Sequence, residues 1–157
     1  MAEATFLNRQ FDRTRNHMSR ALSLNPNDAD VLSVFSFVRA AMGDTAQALQ
    51  DIDMALERNP SVPAWYNWAK GGILFMMGRY ADALRSFEAY GQPNASIHRW
   101  RAAALVKLGQ IEEAKADMKA LLAARPKLNV AIARAMFDYI PNSNDFVEAL
   151  RQAGLPE

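Results

Sequence analysis

The chain has 157 residues, half of them hydrophobic, and its 18 Lys and Arg stand against 17 Asp and Glu, a net charge of +1. That is enough chain for one domain with a real core, and too even a charge for a nucleic-acid binder or a binder of anionic membranes. The absence of Cys excludes disulfides, thiolate metal sites and a Cys nucleophile.

The start, Met1-Ala2-Glu3-Ala4-Thr5, carries an acidic residue and no apolar core, so it does not read as a secretory signal. The longest apolar run, Ile73 to Met77, is too short to cross a bilayer. A cytoplasmic protein, or a cytoplasmic portion of one, is the expectation.

In chain order, apolar residues at helical spacing, bounded by Gly and Pro, predict helices near 10–24, 28–42, 44–58, 64–77, 80–90, 95–108, 110–124 and 128–140. Pro141-Asn142-Ser143-Asn144 breaks the chain before a last helix near 144–153, with Ser143 or Asn144 as its N-cap. The final helix is expected to fold back as a cap, with Phe146, Val147 and Leu150 facing in.

These segments repeat. Arg20-Ala21-Leu22-Ser23-Leu24-Asn25-Pro26 returns as Met54-Ala55-Leu56-Glu57-Arg58-Asn59-Pro60, so the two prolines are 34 residues apart. Gly43-Asp44-Thr45-Ala46-Gln47-Ala48-Leu49 returns from Gly78 to Leu84 and again from Gly109 to Lys115. An eroded copy runs from Arg9 to Arg15. Each glycine stands where one helix ends, where a left-handed C-cap costs least. Asp44 with Gln47 three residues later reads as a capping-box-like start. Ala48, Ala83 and Ala114 sit on the inner faces of second helices, where a small side chain admits a close neighbour. Gly71-Gly72 is not followed by Lys-Ser or Lys-Thr and falls inside a helix, so it reads as a close helix crossing rather than a phosphate loop.

This period and the small-residue-then-Pro pattern at Ala48, Ala55 and Pro60 resemble the tetratricopeptide repeat family along nearly the whole chain. The central unit departs from the pattern: Tyr90 stands where a small residue is usual, and Gly91-Gln92-Pro93-Asn94 closes the hairpin early. The resemblance implies an all-α, right-handed superhelix of antiparallel helix pairs over residues 1–157. It divides into a partial repeat at 1–27, repeats at 28–62, 63–93 and 94–127, and a partial repeat with a capping helix at 128–157. The helix near 10–24 is then a second helix without its first-helix partner, for which only Ala4 to Leu7 remain. A fragment of a longer protein is expected, with Phe11, Met18 and Leu22 poorly covered and able to join two copies as a homodimer.

The resemblance also implies a concave groove lined by the first helices of successive hairpins. Phe37, then Trp65, Trp68, Phe75 and Met76, then Arg99 and Lys107 fall on that face. The aromatic group suits the anchoring of a protein partner, and the basic pair, with Arg101 nearby, suits capture of an acidic segment. Both groups admit a second reading: inter-hairpin packing for the tryptophans, and a solvated helix face for the cations. His17 and His98 lie on different repeats and make no metal-ligand spacing. No catalytic constellation is visible, and no cofactor is implied.

Pro63-Ala64-Trp65-Tyr66-Asn67-Trp68-Ala69, Gly78-Arg79-Tyr80 and the ending from Phe146 to Pro156 are similar to the C-terminal repeat regions of bacterial class III adenylate/guanylate cyclase-like proteins. Similar tails follow winged-helix domains in some bacterial regulators. The resemblance implies an interaction tail without cyclase chemistry. An oligomerisation unit is the alternative.

Overall fold

The computed structural model describes residues 11–26, 28–59, 61 and 63–157, with the backbone alone at Phe11. Among them the chain forms helices α1 (Phe11–Leu24), α2 (Ala29–Ala41), α3 (Thr45–Arg58), α4 (Ala64–Met76), α5 (Tyr80–Tyr90), α6 (Ala95–Lys107), α7 (Ile111–Ala124), α8 (Val130–Phe137) and α9 (Ser143–Gln152), and no strand. Helices α2 and α3, α4 and α5, and α6 and α7 pair as hairpins. The hairpins stack in order, α4 on α2 and α3, and α6 on α5. This is the helical-repeat solenoid that the sequence predicts. The eroded copy at Arg9 and Gln10, the stretch Ala4 to Leu7, the Phe11 side chain and the helix stop at Pro60 lie outside the described residues.

The glycines at the hairpin turns have one job. Gly43, Gly78 and Gly109 take φ of 98°, 77° and 78°, a region where an L side chain is strained. In each case the next residue's N–H reaches back over the helix end: Asp44 to the Arg39 carbonyl, Arg79 to that of Leu74, and Gln110 to that of Leu105. Asp44 then accepts from the Gln47 N–H to start α3. Asn94 and Asn129 cap α6 and α8 in the same manner. The cap of α9 differs from the prediction: the helix begins at Ser143 after Asn142 in the left-handed region, with no side-chain cap bond.

Small residues set the spacing of the stack. Ala48, Ala83 and Ala114 are fully buried. At Gly71 a Cβ would run into the Phe87 ring of α5, and at Gly72 it would stand 2.7 Å from Phe37 Cε2 of α2. The glycine pair therefore lets one helix touch its hairpin partner on one side and the preceding hairpin on the other.

Two expectations for the ends need correction. Met18 is 2% exposed and packs with Phe35, Val38 and Ala41, while Leu22 is half-buried against the same cluster. The α1 face offered for self-association is thus largely spent on α2. At the other end α8 is shorter than predicted and does not stack on α7. Helix α9 does fold back with Phe146, Val147 and Leu150 buried, but it packs along α6 as well as α8.

Replacing Gly71 by Ala should destabilise the chain by about 1–3 kcal/mol, because a core phenyl ring must move. Phe146→Ala should cost more, about 3–5 kcal/mol, by emptying the contact between α9 and the stack. Urea unfolding followed by circular dichroism measures both.

Candidate functional site

The first helices α2, α4 and α6 lie side by side, and the predicted groove residues separate into two zones. In one zone Trp65, Trp68, Ser96 and Arg99 are half-buried. The Trp68 ring stacks on Phe37 of α2 at 4.8 Å and 28°, and its indole N–H donates to Ser96 Oγ of α6 at 2.9 Å. The Arg99 guanidinium donates to the same oxygen at 2.9 Å and lies 4.9 Å from the Phe137 ring centre. A chain of contacts thus runs from α2 through α4 to α6, with an indole and a guanidinium held in place and still partly open to solvent. Trp65 stands beside it, edge-on to Tyr66 at 4.6 Å.

The other zone is closed. Phe75 and Met76 are 8% and 7% exposed, so neither lines an open trough. Phe75 meets Trp100 at 5.3 Å and Phe146 at 5.4 Å between ring centres. Phe146 in turn lies 4.6 Å from Trp100 and 5.0 Å from Phe137. Helix α9 therefore covers this part of the first-helix row. Phe37, at 8% exposed, is likewise a support for Trp68 rather than a contact surface. Trp100, absent from the predicted set, is the centre of the cluster. Its neighbours Ala102 to Val106 are all buried, and a helix apolar all round has to be covered all round.

The predicted basic cluster does not form. Arg101 turns to the other side of α6, where its Nε donates to Asp117 of α7 at 3.1 Å, and His98 Nδ1 lies 2.6 Å from the same carboxylate. Lys107 is exposed at the end of α6, beside the start of α9. Asp51 of α3, at the position that corresponds to Asp117, pairs with Arg39 of α2 at 2.9 Å. In both pairs the carboxylate is nearly buried and the arginine about a third exposed, and each links a second helix to the first helix of its own hairpin. Arg99 keeps no carboxylate partner among the described residues. Burial pushes its guanidinium below the ordinary arginine range, with Tyr139 opposing and Arg125 adding to the effect.

Below the tryptophans a second tie joins successive hairpins. The Tyr66 hydroxyl donates to Asp30 at 2.5 Å and accepts from the Asn59 amide at 3.4 Å. Desolvation, and then the bond to Asp30, raise the Tyr66 hydroxyl to about 12. Among the described residues no three His, Cys, Asp or Glu side chains gather as a metal site. No helix there is long and apolar enough to cross a membrane.

No family model and no curated protein matches the chain. Solved structures match its fold. A crystal structure of PilW, described as a widely conserved type IV pilus biogenesis factor, superposes with a TM-score of 0.72 at 18% identity, over 94% of this chain and 71% of that one. A crystal structure of MamA gives 0.65 at 12% identity, over 98% and 92%. A MamA RS-1 double mutant gives 0.66 at 16% identity, over 97% and 88%. At these identities the likeness concerns the fold, a tetratricopeptide-type stack of helical hairpins.

The Tyr66 hydroxyl leads to an alkaline prediction. A tyrosine raised from 10.0 to about 12 leaves stability intact below pH 10 and removes it as pH climbs from there toward 12, because the unfolded chain ionises first. Phenolate absorbance titration should show one late-ionising tyrosine fewer in Tyr66→Phe than in the unchanged chain.

Proposed function

We propose that the chain is a non-catalytic scaffold that binds a protein segment on the open part of its first-helix row. The observation that carries this is the contact chain from Phe37 through Trp68 and Ser96 to Arg99. Half-buried Trp and Arg side chains held by neighbours lose little freedom on binding, and these residue types dominate the energetics of protein interfaces. Trp65 supplies apolar area beside them, and Arg99 supplies a positive charge that its own surroundings leave unpaired. Lys107 can steer an acidic partner from the far end of α6, about 12 Å along the helix from Arg99. The fold shared with PilW and MamA is compatible with this reading and does not specify it.

The setting we propose is the tail of a larger bacterial signalling protein, in the cytoplasm, such as a class III nucleotide cyclase-like protein, with a winged-helix regulator as the alternative. It rests on the sequence resemblance at Pro63 to Ala69 and Phe146 to Pro156. Phe146, Val147, Ala149, Leu150, Ala153 and Leu155 of that ending are core residues of the cap, so they serve the fold rather than a contact. Pairing of two copies through α1 is the weaker reading, because Met18 is buried.

Affinity capture with the purified chain, quantified by mass spectrometry, tests the site. Partners should be lost or weakened at least tenfold, about 1.4 kcal/mol, by Trp65→Ala and by Trp68→Ala, in variants that keep their helical circular dichroism. Capture unchanged by both substitutions would contradict it.

A further inference from the structure

Every second helix but one carries the next hairpin. Helix α4 packs on α3 and α6 on α5, yet α8 stands off α7 because α9 has taken the side of α6. The space left is a cleft of about 410 Å³ between α7, the 125–128 connection and α8, within the range of roughly 300–1,000 Å³ typical of ligand sites. Its floor is Leu121, Leu128 and Phe137, all buried. One wall is Ile132 and Met136, one helical turn apart on α8 and each 41% exposed.

The charges around it have one sign. Arg99, Arg125 and Lys127 line the cleft, and no Asp or Glu does. Arg99 Nε is buried there without a hydrogen-bond partner, and the neighbouring Arg125 guanidinium makes its position less favourable still. Two guanidiniums and an ammonium around an apolar trough form a surface complementary to a carboxylate flanked by aliphatic side chains.

We propose that this cleft is a second interaction site and that its occupant is an amphipathic helix of a partner protein, with Leu, Ile or Phe at three- and four-residue spacing and an Asp or Glu among them. The incoming helix lies against α7, in the stacking position that α8 leaves vacant. Its apolar face meets Ile132 and Met136 above the buried floor, and its carboxylate reaches Arg99 and Arg125. A helix laid into an apolar groove is a recurring mode of recognition. Arg99 borders both sites, whereas Ile132, Met136 and Arg125 line the cleft and Trp65 does not, so substitutions at those residues tell the two readings apart.

A displayed library of helical peptides, randomised on one face and selected on the full chain, tests the proposal. Selection should enrich acidic residues interleaved with aliphatic or aromatic ones. The selected peptide should bind at least tenfold more weakly to Ile132→Asp and to Arg125→Glu, both changes at exposed positions, and should bind normally to Trp65→Ala. Changing its acidic residue to Lys should abolish binding to the unchanged chain and restore it to Arg125→Glu. No enrichment, a neutral or basic consensus, or binding indifferent to Ile132→Asp and Arg125→Glu would overturn the proposal. So would self-association of the chain that Ile132→Asp dissolves, or tight binding of laurate at the same residues with no peptide selected.

Discussion

The structure depends on how α6 is covered. Ala102 to Val106 are buried without interruption, so this part of the helix has no face it can leave in water. Helix α5 takes one side, α7 another, and α9 the third. The last contact is an aromatic one: Trp100 lies at the centre, with Phe146 of α9, Phe75 of α4 and Phe137 of α8 around it. The Phe75 and Phe137 rings meet Trp100 edge-to-face and the Phe146 ring meets it tilted at 45°; edge-to-face pairs add roughly 0.5–1.5 kcal/mol each beyond the area they bury. The arrangement sets what remains of the first-helix row. Where α9 lies, the row is core; where it does not, Trp65, Trp68 and Arg99 are left partly open.

The same choice explains the far end. In a regular stack the helix after α7 would pack on α7 and α6. Here the early closure of the central hairpin at Gly91, in the left-handed region with φ of 70°, is accompanied by only slight contact between α4 and α6. Phe146 enters beside both helices, and α8 becomes the strap that brings α9 there. The Val130 N–H donates to the Pro156 carbonyl at 2.9 Å, tying the start of the strap to the end of the cap. A stack that closes on itself in this way leaves α7 without its usual neighbour.

Most of the repeat architecture was legible in the sequence, because turns and spacing are local. A Gly with φ near 80–100°, an Asp or Asn cap and an Ala at the helix crossing each leave a mark at a fixed offset, and those marks recur along the chain. The side of each helix that faces water was less legible. Phe75 and Met76 were expected in the groove on helical spacing alone, yet Gly71 to Met76 form an unbroken buried run, and such a run signals a helix covered on both faces. The same signal at Ala102 to Val106 could have pointed to Trp100 as core. The partners of Arg99, Arg101 and Lys107 were not legible at all, because which cation finds a carboxylate depends on Asp117, which lies on another helix. The standing-off of α8 is also a tertiary outcome, since its own sequence is an ordinary first helix.

The division of the first-helix row into a sealed and an open part is the claim on which the rest stands, and the three tryptophans report on it directly. Acrylamide quenching of variants that each retain one tryptophan, with Phe at the other two positions, measures the two parts separately. The account predicts that Trp100 is shielded and emits at short wavelength, while Trp65 and Trp68 are quenched readily. A Trp100 as accessible to acrylamide as the other two, in a chain that remains helical, would contradict it.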